Sequence, residues 1–144
     1  MLIGEFKHTL DDKNRVSLPS KFRKEVGKKV IVTHGLDNCL SLYTLKEWEE
    51  IAKKFGGLGM GQADVRGLHR HFLGNAAEID VDSAGRILIP ESLRNEAGLK
   101  SKIVFTGLYN RIEIWNEGSW EAYKKDITKN ADQMAEKLGQ IGAI

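Results

Sequence analysis

Two short segments of the chain pair an aspartate with an arginine four residues later. They are DDKNRVSLP, with Asp11 and Arg15, and DSAGRILIP, with Asp82 and Arg86. The planar fork of an arginine can bond the O6 and N7 atoms of guanine or clamp a phosphate. An aspartate suits a turn, because its carboxylate bonds nearby backbone N–H groups. Each pair therefore has two interpretations: a contact with DNA, or a salt bridge that only fixes a loop.

Basic residues are concentrated around the first segment. Lys13 and Asn14 add a charge and a donor–acceptor group to its turn, whereas the second turn has Ser83, Ala84 and Gly85. Residues 1–55 have a net charge of +3 and residues 76–125 of −1, although the whole chain has only +2. The further basic residues of the first half are Lys7, Lys21, Arg23 and Lys24. We therefore expect the first half to dominate contact with an anionic partner, with a smaller contribution from Arg86.

Other chemistry is weakly supported. Asp11 and Asp82 recur with their turns and have no accompanying nucleophile, phosphate loop or dinucleotide fingerprint. His69 and His71 are two residues apart, so on a helix they face different directions, and His8 and His34 lack metal-ligand spacing. We expect no enzyme activity, no metal, no cofactor and no small-molecule substrate. Arg66 and Arg70 share a helix face, which favours a subunit interface over extra phosphate contacts.

The two segments belong to a longer internal repeat. At an offset of 71, the first copy matches the second at Asp11, Arg15, Pro19, Arg23, Glu25 and Gly27. At an offset of 72, the alignment continues through Ile31, Val32, Gly35, Leu36, Asn38, Trp48 and Glu49. In this alignment Ile31 and Val32 match Ile103 and Val104. The chain thus contains a duplicated module, at residues 5–52 and 76–124.

The sequence of each module predicts about four short strands, a short helix and a second helix at the end of the module. Alternating apolar segments indicate strands, Pro19 and Pro90 start helices, and Gly27 and Gly98 end them. Thr44 and Glu47 have capping-box spacing before a longer helix. ADVRGLHRHFLG predicts a helix between the modules, and a last helix is expected after Asp126. Four short strands cannot enclose a hydrophobic core alone, and the two modules must therefore complete each other. The expected core anchors are Phe22, Trp48, Leu93 and Trp120, with Cys39 as an inert strand residue.

The sequence also predicts where the protein works. No apolar run approaches the roughly 20 residues that a membrane helix needs, and the first residues do not resemble a secretory signal. Cys39 is the only cysteine, so an intramolecular disulfide is excluded. These features predict a cytoplasmic protein without a membrane partner.

The repeated D-x-x-[GN]-R-[hydrophobic]-x-[hydrophobic]-P pattern, with RGLHRHFLGNAAEID between its copies, resembles the bacterial MraZ family of the swapped-hairpin AbrB class. The resemblance implies a mainly β protein with short helices (α+β), a pseudo-symmetric double-module β-barrel assembled into a homo-oligomeric ring. It implies a nucleoid-associated transcriptional regulator that binds short direct repeats in double-stranded DNA. These repeats would lie upstream of its own gene, in the division and cell-wall gene cluster. Arg15 matches the family's DNA-facing arginine, and Lys13, Asn14, Lys7 and Arg86 complete the candidate DNA-binding set.

An AbrB-type antitoxin is the alternative function. In that hypothesis residues 126–144 wrap a protein toxin, and the chain also binds its own promoter. Antitoxins usually need one module per chain, whereas this chain keeps two, which favours the regulator.

Overall fold

The computed structural model describes all 144 residues. Its first half contains β1 (Leu2–Thr9), β2 (Arg15–Ser17), α1 (Ser20–Val26), β3 (Lys29–His34), β4 (Leu40–Thr44) and α2 (Leu45–Gly56). Between the modules lie α3 (Ala63–Leu68) and a π-helical segment (His69–Leu73). The second half contains β5 (Ala77–Asp80), β6 (Arg86–Leu88), α4 (Glu91–Glu96), β7 (Lys102–Tyr109), β8 (Ile112–Asn116) and α5 (Glu117–Gln140).

The helix boundaries follow the expected local signals. Pro19 and Pro90 immediately precede α1 and α4. Gly27 and Gly98, at φ values of 73° and 59°, follow the ends of these helices in the left-handed region that glycine tolerates. The Thr44 hydroxyl accepts a hydrogen bond from Glu47 N, which caps α2 as predicted.

The two modules exchange strands. The main sheet has six strands in the order β1-β7-β8-β4-β3-β5, and β2 and β6 form a separate antiparallel ribbon. Strand β1 of the first module pairs with β7 of the second, and β5 of the second pairs with β3 of the first. The α+β expectation is confirmed, with an antiparallel sheet of six strands, and each module completes the sheet of the other. The fold is mixed rather than mainly β, because the helices contain more residues than the strands and α5 alone has 24 residues.

A pseudo-two-fold axis relates the modules and passes through two rungs of the ladders. Val16 lies opposite Ile87 in the ribbon, and these residues are equivalent at an offset of 71. Ser41 lies opposite Glu113 between β4 and β8, and these are equivalent at an offset of 72. A residue that faces its own repeat counterpart must lie on or beside the axis. The ribbon is therefore built around the internal symmetry.

The register of β3 and β7 corrects the sequence match in this part of the repeat. Val30 pairs with Ile79, and Ile103 pairs with His8, the repeat equivalent of Ile79. Val30 therefore corresponds to Ile103, an offset of 73, and the match of Ile31 and Val32 to Ile103 and Val104 was wrong by one residue. The sequence contains a trace of the correct match, because Lys29 and Thr33 align with Lys102 and Thr106 at an offset of 73. The three apolar residues between them fit either offset, although a slip of one residue exchanges the two faces of the strand.

The core lies between the inner face of the sheet, the ribbon and helices α1 and α4. Phe22 (0% exposed) and Leu93 (2%) are both buried there, as predicted. Trp120 is buried on the outer face of the sheet against Trp115, with ring centroids 5.3 Å apart. Trp48, its repeat equivalent, packs on Tyr43 at 5.6 Å but remains partly exposed. The expectation of a core anchor is therefore confirmed for Trp120 and wrong for Trp48.

The last helix differs from the prediction. One continuous helix of 24 residues replaces the short helix and the separate one expected after Asp126. Helix α2 ends at Gly56, and Gly57, Gly59 and Gly61 follow it, whereas the equivalent stretch of α5 contains no glycine or proline before Gly139. Helix α5 therefore has no residue that ends it early. None of the helices combines the length and the apolarity required to cross a membrane.

Candidate nucleic-acid interface

The two aspartate–arginine turns have the same hydrogen-bond network. Asp11 Oδ1 accepts from Lys13 N at 2.8 Å and from Arg15 N at 2.9 Å, and Oδ2 accepts from Arg15 Nε at 3.0 Å. Asp82 accepts the equivalent bonds from Ala84 N, Arg86 N and Arg86 Nε, all at 2.9 Å. Asn14 (φ 62°) and Gly85 (φ 77°) occupy the same left-handed position. Asn14 therefore makes the same turn as Gly85, as an asparagine can because it tolerates a left-handed conformation.

These bonds keep both carboxylates ionised. The pKa of Asp11 lies below its ordinary value, chiefly because the backbone N–H of Arg15 donates to the carboxylate. The pKa of Asp82 is lowered in the same way, chiefly by the backbone N–H of Arg86. Each arginine bonds within the protein only through its side-chain Nε and its backbone, so both Nη groups stay without a protein partner. The turns thus orient two guanidinium forks without occupying them.

The ribbon brings the two arginines onto one surface. Arg15 pairs with Leu88 and Ser17 with Arg86, while Val16 and Ile87 between them are each 1% exposed and point into the core. The outer face therefore carries four side chains, those of Arg15, Ser17, Arg86 and Leu88. Arg15 and Arg86 are diagonal neighbours on this face, a relationship that separates side-chain bases by about 7–8 Å. We call these four residues the ribbon face.

Basic residues flank the ribbon face at both turns. Lys13 and Asn14 are exposed at the first turn. Arg23 belongs to the first module but lies against the second turn, because a Cβ placed on Gly85 would be 2.6 Å from Arg23 Nε. Arg23 Nε also donates to Leu18 O at 2.9 Å, which holds the side chain beside the ribbon. The exchange of strands therefore supplies the second turn with a positive charge that its own sequence lacks.

Lys7 is not brought to this surface. On β1, Phe6 faces inward and contacts Phe22, with ring centroids 5.1 Å apart, so the next residue, Lys7, faces outward. Lys7 Nζ lies 3.5 Å from Glu121 Oε1 on α5, across the sheet from the ribbon. The structure therefore separates Lys7 from Arg15, Lys13, Asn14 and Arg86, with which the sequence grouped it.

Leu88 and Ser17 are members of the ribbon face that sequence reasoning missed. Leu88 is 54% exposed although it stands in the apolar run ILI, between Ile87 (1%) and Ile89 (0%). The signal was the alternation expected of a strand with one buried face. Applied strictly, it places Val16, Leu18, Ile87 and Ile89 inside and leaves Ser17 and Leu88 outside.

The remaining sequence candidates serve local structure. His69 and His71 each bond a backbone carbonyl through Nε2, those of Phe55 and Gly35 respectively. Arg66 Nη1 donates to Met60 O at 2.9 Å. Cys39 is buried, and burial raises the pKa of its thiol, which disfavours the reactive thiolate.

A cavity of about 260 Å³ lies on the outer face of the sheet, away from the ribbon. Its aromatic lining consists of Tyr43, Trp48, Phe55 and Phe72, and Arg111 and Glu113 supply charge. Phe55 of α2 stacks on Phe72 of the π-helical segment, with centroids 5.0 Å apart. The cavity is thus part of the packing of the segment that joins the modules.

Comparison with known proteins agrees with the duplicated architecture. The family model described as "MraZ protein, putative antitoxin-like" matches residues 1–71 and again residues 72–140. A protein of Acetivibrio thermocellus named "Transcriptional regulator MraZ" is 44% identical over 142 residues, which cover 99% of each chain. A protein of the same name from Caldicellulosiruptor saccharolyticus is 46% identical over 142 residues, again 99% of each chain. The chain therefore belongs to the MraZ family.

Proposed function

We propose that this chain is a sequence-specific, DNA-binding transcriptional regulator that places its β2–β6 ribbon in the major groove. The observation that carries the proposal is the pair of guanidinium forks, Arg15 and Arg86, held by Asp11 and Asp82 on one exposed face. The major groove admits a two-stranded β-ribbon, and arginine bonded to guanine is the commonest base-specific contact. The relatives named "Transcriptional regulator MraZ" support the same function.

The dimensions of the ribbon face suit two base pairs that are about two steps apart. Successive bases of one DNA strand are spaced about 3.4 Å along the axis. Two arginines whose side-chain bases are about 7–8 Å apart therefore span about two base-pair steps. Because Nε is bound by the aspartate, each arginine presents its two Nη groups to the DNA. Lys13, Asn14 and Arg23 lie at the ends of the ribbon, where they meet the phosphates that border the groove.

A homo-oligomeric ring that binds direct repeats is the finer form of the proposal. The modules differ in sequence, so their faces favour heterologous contacts between copies, and such contacts close into rings when the rotation fits. Leu45 (41% exposed) and Leu68 (40%) are apolar residues available for these contacts. Copies related by rotation present the ribbon in the same sense, which favours direct repeats over a palindrome. By resemblance to the family, the proposed repeats lie upstream of the protein's own gene in the division and cell-wall gene cluster.

Nothing in the proposal requires catalysis. Asp11 and Asp82, the carboxylates that could suggest acid–base chemistry, each accept three hydrogen bonds from their own turn. Binding DNA on the chromosome would make the protein cytoplasmic and nucleoid-associated. Double-stranded DNA and further copies of the chain are the proposed partners.

Selection of bound DNA from a random pool, at a stated salt concentration, tests the proposed function. We expect enrichment of short repeats in one orientation, with equivalent bases spaced about 10–10.5 bp apart. Insertion of about 5 bp between two repeats, half a DNA turn, should weaken binding far more than insertion of about 10 bp. A pool without any enriched sequence contradicts sequence-specific binding, whereas a single repeat bound as tightly as three contradicts the ring.

The antitoxin alternative has one structural observation in its favour. Beyond Asp126, α5 exposes Met134 (42%) and Leu138 (42%), which share one helix face. A segment of this kind suits a protein partner that binds a helix. Both hypotheses predict binding to a promoter, so the protein partner decides between them. Co-purification of a second protein that depends on these two side chains would favour the antitoxin, and purification of the chain with no second protein would favour the regulator.

A further inference from the structure

We propose that Leu88 is a specificity-determining residue that contacts the 5-methyl group of a thymine beside the base contacted by Arg15. This inference rests on the proposed function and goes one step beyond it. It assigns a chemical preference to one position of the DNA site. It also gives the two halves of the ribbon face different preferences.

The exposure of Leu88 is unusual for its place in the fold. The apolar neighbours of the ribbon, Val16, Leu18, Ile87 and Ile89, are at most 1% exposed, whereas Leu88 is 54% exposed. A single exposed leucine is ordinary on a protein surface. Leu88 differs from such a leucine because it stands on a narrow face whose other members are Arg15, Ser17 and Arg86. A ribbon that brings these arginines to base edges brings Leu88 there as well.

The register places Leu88 next to the base contacted by Arg15. Residues directly opposite each other in an antiparallel pair have Cβ atoms about 4.5–5.5 Å apart. With about 3.4 Å between successive bases, Leu88 lies one or two base pairs from the contact of Arg15. Its side chain has no hydrogen-bonding group, so it gains nothing from phosphates or from base donors and acceptors. The thymine methyl is the apolar group that the major groove offers.

The pseudo-symmetry gives the site a direction. Leu88 corresponds to Ser17 in the repeat, and each lies opposite the arginine of the other module. One rung of the ribbon therefore combines Arg15 with an apolar side chain, and the other combines Arg86 with a hydroxyl. A hydroxyl bonds donors or acceptors and has no preference for a methyl group. Without Leu88, the two arginines alone would favour a site that is nearly the same in both directions.

Replacement of thymine by deoxyuridine tests the inference, because it removes only the 5-methyl group. Each thymine of the selected site is replaced in turn, and binding of the full chain is measured by fluorescence anisotropy. With the natural protein, we expect one replacement per repeat to weaken binding about fourfold, as for one buried methyl-sized group. With Leu88→Ser the penalty of that replacement should disappear, and with Leu88→Met it should remain. Leu138→Ser, which removes a leucine exposed on α5, is the matched control and should keep the natural penalty.

Four results would overturn the inference; the first three leave the proposed function standing, and the fourth does not. If specific binding is unaffected by every deoxyuridine, Leu88 contacts no methyl, although the regulator stands. The inference also fails, and the regulator stands, if deoxyuridine weakens binding of Leu88→Ser as much as it weakens binding of the natural protein. It fails likewise if light scattering shows that Leu88→Ser dissociates the oligomer, since Leu88 is then an interface residue. If the natural chain selects no DNA sequence at all, the proposed function fails and this inference fails with it.

Discussion

Arg15 and Arg86 lie diagonally across two rungs of one ribbon, although they are 71 residues apart in the chain. Each is the arginine of its own module, and each is bound through Nε to the aspartate of its own turn. The exchange of strands turns two copies of a nine-residue motif into a single surface. Duplication within one chain thus provides both arginines, while allowing their neighbours Ser17 and Leu88 to differ.

The exchange of strands predicts that neither half of the chain folds alone as a monomer. Residues 1–74 lack the partner strands β7 and β6, and residues 75–144 lack β3 and β2. We expect each half to be unfolded or self-associated, and a mixture of the two to regain the circular dichroism of the intact chain. A half that is monomeric in light scattering and unfolds cooperatively would contradict this pairing.

The second turn should be far more sensitive to an added side chain than the first. Gly85 has φ 77°, and a Cβ there would lie 2.6 Å from Arg23 Nε. We expect Gly85→Ala to destabilise the protein by about 1–3 kcal/mol, the usual cost of a strained backbone position. Asn14→Gly removes a side chain at the equivalent position and should change the free energy of unfolding little. Urea unfolding measures both, and equal effects would contradict the account of the turns.

Phe22 should be a principal contributor to stability. Its side chain is completely buried in the shared core and packs edge-to-face on Phe6, with centroids 5.1 Å apart. Phe22→Ala should reduce the free energy of unfolding by about 3–5 kcal/mol, the range for such truncations. Met134→Ala, on the exposed part of α5, is the control and should change it by less than about 0.5 kcal/mol. A small effect of Phe22→Ala in denaturant titrations would argue against the common core.

Stability should fall as the solution is made mildly acidic. Burial lowers the pKa of His8 from its ordinary value of 6.5, and the nearby Arg23 lowers it further. Below pH 6.5 the unfolded chain takes up a proton at His8 before the folded chain does, so protons favour unfolding. The free energy of unfolding continues to decrease as the pH falls, until the pH passes below the lowered pKa of His8 in the folded state, and it then levels off. His8→Gln should flatten this part of the pH profile of unfolding, and an unchanged slope would exclude His8 as its source.

Much of the architecture could be predicted because local signals and the repeat agree. The turns at Asp11 and Asp82, the helices after Pro19 and Pro90, and the cap at Thr44 all depend on short-range chemistry. The equivalence of β3 and β7 was misassigned by one residue because the apolar residues of the two strands fit either offset. The match of Lys29 and Thr33 to Lys102 and Thr106 would have decided it.

The parts of the candidate site that sequence reasoning missed depend on tertiary contacts. Lys7 was grouped with Arg15 by charge, but strand alternation turns it toward Glu121 on the other side of the sheet. Arg23 reaches the second turn only because the modules exchange strands. Leu88 is the exception, because strand alternation alone places it on the face opposite to the buried Ile87 and Ile89.

If the ribbon face contacts DNA, the affinities of three variants for the selected DNA should differ in a defined order. Arg15→Ala, Arg86→Ala and Lys7→Ala each remove one positive charge, and only Lys7 lies away from the ribbon. A lost arginine–guanine contact costs about 1–3 kcal/mol per site, and several subunits on one DNA multiply the loss. We expect Arg15→Ala to abolish specific binding, Arg86→Ala to weaken it less, and Lys7→Ala to bind with nearly the affinity of the natural chain, with folding and assembly intact in all three. Natural affinity in Arg15→Ala, or an equal loss in Lys7→Ala, would contradict contact of the ribbon face with DNA.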